Sequence, residues 1–210
     1  MLWHSALTCR RGASAQNVAD LAAYIRERCD APPEELAWLA GVAQLRKLPR
    51  RAQFCRIGQI DHEIAYVESG IVQTFVMAPD GRRIVLDFSF PGGWVVALET
   101  ASRDLPSQVC CEAVTPCVLT TFPFALSRVA VTRHRAWEHL AARMVEEAFI
   151  RKQQRYFSLR TRTAEQRYAT LATELSAGWE AIPQQFLASY LDITPQYLSA
   201  IKRKYTASSK

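Results

Sequence analysis

Two hydrophobic periods divide this chain. Residues 14 to 48 mix polar and apolar positions at helical spacing, with Pro32-Pro33 interrupting between ADLAAYIRERC and EELAWLAGVAQL. The second piece places Leu36, Leu39, Ala40 and Ala43 on one side, ready to pack on the next part of the chain. From about Pro49 to Phe124 the period falls to two, in segments rich in Val, Ile, Phe and Cys: Glu63 to Glu68, Ile71 to Met77, Arg83 to Phe88, Val109 to Ala113 and Cys117 to Phe122. Turn signals at Glu68-Ser69-Gly70, Pro79-Asp80-Gly81, Pro91-Gly92-Gly93 and Thr115-Pro116 separate them. Many short strands with such breaks predict an antiparallel sandwich or barrel.

After Arg128 the helical period returns for about thirty residues. Trp137, Leu140, Ala141, Met144, Val145, Ala148, Phe149, Lys152, Tyr156 and Leu159 form a band wider than one packing seam. A helix of that length can rest one side on the sheet domain and pair the other with a second copy. The competing expectation is a helix folded back on its own domain. Thr163-x-x-Gln166 then reads as a capping box opening a further helix over 163 to 179.

The last element is PQQFLASYLDITPQYLSAIKRKY, residues 183 to 205. A first helix runs from about Pro183 to Leu191, with Phe186, Leu187, Tyr190 and Leu191 inward and Gln184, Gln185 and Ser189 outward. Asp192-Ile193 make a turn, Thr194 caps and Pro195 starts a second helix. That helix turns Leu198, Ile201 and Tyr205 inward and leaves Gln196, Ser199, Lys202 and Arg203 outside. Two short helices around a tight turn outline a helix-turn-helix, whose second helix meets base edges and phosphates. A surface hairpin with a solvated basic end has the same spacing.

Charge separates these readings. Residues 151–210 hold ten Lys/Arg and four Asp/Glu, a net of +6, which leaves sixteen of each sign in the first 150. All the positive excess accompanies the helical hairpin, the footprint of a polyanion-binding module beside a neutral domain. With 49% apolar residues the chain can fill a real core, and its length suits two domains. No uncharged apolar run is long enough to span a membrane. The N-terminal arginines come after a short mixed segment, the wrong order for a secretory signal, so a cytoplasmic protein is expected.

The order of parts, with AEQRY and IPQQFLASYLDITPQYLSAIKRK at the end, resembles the Crp/Fnr family of bacterial transcription regulators over about residues 36 to 205. Val67-Glu68-Ser69-Gly70 and Asp80-Gly81 before a Val-Leu-Asp-Phe strand carry the same likeness. The resemblance implies an α+β protein: N-terminal helices, an antiparallel β-roll (double-stranded β-helix) sensor domain, a long dimerisation helix and a C-terminal helix-turn-helix domain. The corresponding ranges are 1–35 as an N-terminal extension, 36–128 as a cyclic-nucleotide-binding-like domain, 129–160 as the long helix and 161–210 as the DNA-binding domain. The partners implied are double-stranded DNA, a second copy through Trp137, Leu140, Met144 and Ala148, and RNA polymerase, with no membrane.

The chain departs from the family pattern at two places. Members that bind cyclic nucleotides carry a Gly-Glu pair for the ribose and an Arg-Ser or Arg-Thr pair for the phosphate; here Ala97-Leu98 and Ser107-Gln108 stand there. A buried phosphate without a cation is costly, so cyclic-nucleotide control is not expected, although Arg82 and Arg103 lie nearby in sequence. In the recognition helix, related sequences often read Leu-Ser-Arg-Ile where this one has Leu198-Ser199-Ala200-Ile201. Losing one bidentate guanine contact removes about 1–3 kcal/mol of base discrimination. The DNA-contacting set expected is Thr194, Gln196, Tyr197, Ser199, Lys202, Arg203 and Lys204, with Lys202 and Arg203 on phosphates.

Six cysteines show no zinc spacing, and Cys9 and Cys29 are too far apart for an iron–sulfur cluster. Cys110 and Cys111, adjacent on a strand, should face opposite ways and fill core. A cupin-like metalloenzyme would need several converging histidines, and only His62 is close. No enzyme, metal or cofactor is expected. The remaining alternative is an effector-binding or protein-interaction module whose hairpin no longer reads DNA.

Overall fold

The computed structural model describes residues 19–174 and 178–208. Two helices come first, α1 (Ala19–Arg26) and α2 (Pro33–Val42), with Pro32-Pro33 set between them as the sequence predicts and Pro33 in the first turn of α2. Eight strands come next: β1 (Gln44–Leu48), β2 (Gln53–Cys55), β3 (Glu63–Ser69), β4 (Val72–Met77), β5 (Arg83–Ser89), β6 (Trp94–Val95), β7 (Cys110–Ala113) and β8 (Cys117–Pro123). A short helix α3 (Leu98–Arg103) lies between β6 and β7. They form two antiparallel sheets, in the orders β1-β8-β3-β6 and β2-β7-β4-β5.

The five strands read from alternation are found within a residue or two of their expected ends. The expected helix up to residue 48 is not. It stops at Val42, and Gln44–Leu48 pairs along β8 from Gln44 opposite Thr121 to Leu48 opposite Cys117. QLRKL has no strong local preference, and the ladder with a strand some seventy residues away decides its conformation. At the turn between β3 and β4, Gly70 has φ +89°, and a Cβ there would collide with the Pro116 carbonyl and the Cys117 sulfur. Glycine is required on both counts.

Three apolar clusters order the layers. Between the sheets lie Leu48, Phe54, Cys55, Val67, Val72, Val95, Cys111 and Leu119. On the outer side of the β1-β8-β3-β6 sheet, Tyr66 and Phe122 meet Leu21 and Ile25 of α1. On the outer side of the other sheet, Phe75, Val85, Phe88 and Cys110 meet the C-terminal helices. Cys110 and Cys111 therefore face opposite ways, as the strand period requires.

The long helix is interrupted. α4 (Ala125–Arg133) ends at His134, which is extended (φ −154°), and α5 (Ala136–Thr161) begins beyond it. The His134 Nδ1 accepts the Ala136 N–H at 3.1 Å, satisfying one of the amides a helix start leaves open. Glu35 clamps this junction to α2: it takes two bonds from Arg133 (2.9 and 3.1 Å) and one from Trp137 Nε1 (2.8 Å). These donors hold the Glu35 carboxyl below its ordinary range, Arg133 first and Trp137 second.

That clamp corrects the expected dimer face. Trp137 and Leu140 are buried in the cluster with α1 and α2, and Met144 packs against it. Ala148 is half-buried. At 100° per residue the exposed apolar residues of α5 occupy another arc: Val145, Phe149 and Tyr156 form one stripe, with Ile150 and Phe157 to one side. The sequence band was wider than one seam because it contains both faces.

Candidate nucleic-acid interface

Three C-terminal helices, α6 (Ala164–Glu174), α7 (Gln184–Tyr190) and α8 (Pro195–Ser208), build the candidate interface, with a 3-10 turn at Trp179–Ala181 before α7. The capping box at the start of α6 is formed reciprocally: Thr163 N–H donates to Gln166 Oε1 (2.9 Å) and Gln166 N–H to Thr163 Oγ1 (3.3 Å).

The turn between α7 and α8 is a Schellman motif. Asp192 takes the left-handed conformation (φ +55°), Ile193 N–H donates to Ala188 O at 3.0 Å, and Asp192 N–H to Ser189 O at 3.1 Å. Thr194 then caps α8, its Oγ1 accepting the Tyr197 N–H at 3.2 Å. Leu187, Leu191, Leu198 and Ile201 are buried beneath the two helices, and Tyr205, though exposed, packs edge-on against Tyr168. Arg167 donates to the Leu191 carbonyl (2.9 and 3.2 Å) and Arg155 to the Tyr190 carbonyl (2.7 Å). These arginines, counted among the basic excess, hold the C-terminal end of α7.

All seven expected DNA-facing residues lie on α8 or at its cap. Gln196, Arg203 and Lys204 are exposed, Thr194 is exposed at the cap, and Lys202 is half-buried. Tyr197 is exposed, but its hydroxyl donates to Glu165 Oε1 at 2.8 Å, which holds that carboxyl low and pushes the Tyr197 hydroxyl up. Ser199 is half-buried, donating to Pro195 O at 3.0 Å and accepting from Gln184 Nε2. Both hydroxyls thus have partners within the chain.

Ser189, expected to face outward, faces the β-roll. Its Oγ accepts the Val85 N–H (3.0 Å) and donates to Arg83 O (3.1 Å), both on β5. β5 is the last strand of its sheet, and one hydroxyl satisfies two backbone groups that an edge leaves open. Beside this contact the Arg83 guanidinium binds Glu112 (2.6 and 3.2 Å) and lies 3.8 Å from the Phe75 ring centre and 5.1 Å from that of Phe186. Gln73 donates to the same carboxylate at 2.9 Å. A cleft of about 870 Å³ opens there between the β-roll and the helices, lined by Arg51, Arg82, Phe186, Thr194 and Pro195 among others. Alternation and helical periods gave no sign of this docking.

The chain matches no protein-family model and no curated protein. Solved structures do resemble it. FixK2 from Bradyrhizobium japonicum superposes with a TM-score of 0.71 at 16% identity, covering 80% of this chain and 86% of that one. The c-di-GMP-responsive global regulator CLP from Xanthomonas campestris gives 0.62 at 19%, covering 85% and 93%. A transcriptional regulator of the CRP family from Thermus thermophilus gives 0.62 at 19%, covering 78% and 85%. This is the Crp/Fnr fold.

Within the Crp/Fnr fold the positions that depart from the nucleotide-binding pattern are internally engaged. Ser107 is buried; its hydroxyl donates to Val109 O (2.8 Å) and accepts Val109 N–H (3.2 Å). Its backbone is tied to Gly58 and Gln59, both at 2.8 Å. Gln108 donates to Glu99 at 3.3 Å, and Leu98 is exposed. Of the two arginines near in sequence, Arg82 is bound to Asp80 at 2.6 Å and Arg103 is exposed at the end of α3. Among the described residues no group of three or more His, Cys, Asp or Glu could hold a metal ion, and no helix is long and apolar enough to cross a membrane.

Proposed function

We propose that this chain is a DNA-binding transcription regulator of the Crp/Fnr type that acts as a dimer and does not respond to cyclic nucleotides. The observation that carries the reading is the formed helix-turn-helix: a Schellman turn and a threonine cap present Gln196, Arg203 and Lys204 on the exposed side of α8. It stands in the segment that holds the whole positive excess of the chain. The exposed stripe of Val145, Phe149 and Tyr156 is the surface for the second copy, and RNA polymerase is the further partner. Ser107 and Gln108 in place of a phosphate-binding pair support independence from cyclic nucleotide.

The internal hydroxyl partners of Tyr197 and Ser199 favour one competitor, a hairpin that docks a protein. Salt separates the two. Binding of the chain to its own upstream DNA should weaken steeply as salt rises, because phosphate neutralisation releases counterions. In a Lys202→Ala/Arg203→Ala variant the log–log salt slope should flatten by about 2 per subunit, about 4 for the dimer, at roughly 0.9 per phosphate contact. Binding indifferent to both salt and substitution would overturn the assignment.

A further inference from the structure

Inside the β-roll, β2 and β7 pair so that Cys55 lies opposite Cys111. Directly opposed residues on antiparallel strands have Cα atoms about 4.5–5.5 Å apart, within the roughly 4.4–6.8 Å that a disulfide spans. Both side chains point into the cluster between the sheets, where the Cys55 thiol donates to Ser107 Oγ at 3.3 Å and the Cys111 thiol lies 3.7 Å from the Thr74 hydroxyl. Cys110, one residue away, faces the opposite cluster and cannot compete for the same partner. Cys117 shares the inter-sheet core but lies on the other sheet, opposite Leu48, with its thiol on the Ile71 and Thr115 carbonyls.

We propose that Cys55 and Cys111 are a peroxide-oxidisable dithiol, a modification site within the sensor-like domain. The neighbouring Cys111 thiol, ahead of the opposing effect of burial, holds the Cys55 thiol below its ordinary value, and Ser107 adds to it; Cys111 is pushed up in turn. Cys55, on the three-residue edge strand and with the lowered thiol, is thus the attacking sulfur. Its thiolate displaces hydroxide from hydrogen peroxide, the O–O bond breaks and a sulfenic acid forms. The Cys111 sulfur then attacks the Cys55 sulfur, an S–S bond forms, and the hydroxyl leaves as water. The two thiols lose two electrons and two protons in all, and one peroxide becomes two waters. Access runs through β2, a three-residue strand at the edge of its sheet, joined to β7 by a register that shifts between Gln53 and Cys55. Both sulfurs are buried, so oxidation requires this short edge to open locally, short of global unfolding. The bond would fasten β2 to β7, next to Glu112 and the Arg83 contact with the helices.

The test uses the full chain, reduced, freed of reductant and exposed to hydrogen peroxide, then denatured, alkylated, digested and mapped by mass. The expected result is loss of two of the six thiols per chain, a linked peptide joining Cys55 to Cys111, and full recovery with dithiothreitol. Cys110→Ser and Cys117→Ser should form the same link; Cys55→Ser should not, leaving Cys111 open to alkylation. Should Cys55→Ser fail to fold, the wild-type map and the Cys110→Ser variant decide alone. A link to any other cysteine, a full complement of free thiols, or sulfinic acid at Cys55 without a link would overturn the proposal.

Discussion

Replacing Ser189 by alanine isolates the contact between the helix-turn-helix and the β-roll. The hydroxyl makes two neutral hydrogen bonds to β5, to Val85 N–H at 3.0 Å and to Arg83 O at 3.1 Å, on a half-buried side chain. At about 1 kcal/mol each, Ser189→Ala should weaken the docking by about 2 kcal/mol. The volume change is one oxygen atom, so packing contributes little. The assay is hydrogen exchange of the Val85 amide under native conditions. If that amide exchanges by release of α7 from β5, about 2 kcal/mol accelerates it by about 30-fold, since each 1.4 kcal/mol is tenfold. Ser199→Ala is the control, because Ser199 bonds within α8 and to Gln184 and leaves β5 untouched. A Val85 exchange rate within twofold of the unmodified protein would refute the reasoning.

Other perturbations have equally definite outcomes. Burial pushes the Asp87 carboxyl up, against the nearby Lys152, Arg151 and Arg155, so its ionised form weakens the fold. The folded state binds the extra proton, so this group makes stability rise as pH falls through its raised value toward the ordinary Asp value; Asp87→Asn should be more stable at neutral pH and lack that rise in urea titrations. Leu198→Ala empties a fully buried position between the helices and should cost about 3 kcal/mol in urea unfolding. Phe149→Asp places a charge on the exposed stripe of α5 and should shift the mass seen by sedimentation from dimer to monomer while urea stability of the monomer holds.

Much of the candidate site was legible in residues that act on their neighbours. Thr194 and Pro195 start α8, Thr163 and Gln166 start α6, and Pro32-Pro33 separate α1 from α2, each through capping or ring sterics within four residues. The β-roll strands could be read from their Val, Ile, Phe and Cys content between turn residues, although β7 and most of β8 are buried on both sides. What escaped were pairings chosen at long range. Gln44–Leu48 reads as a continued helix until β8 offers its edge. Trp137 and Leu140 fit a dimer seam equally well until Glu35 and the N-terminal helices claim them.

By itself, then, the sequence determined the kinds of element, their caps and turns, and the placement of the positive excess within residues 151–210, because these depend on residue type and local spacing. Only the tertiary structure decided which face of α5 stays open, that Ser189 completes the edge of β5, and that Cys55 meets Cys111. Ser189 lies 104 positions from Val85, and Glu35 lies 98 from Arg133. A periodic pattern reports that a side chain is buried or exposed; its partner across such a distance is fixed by how the layers pack.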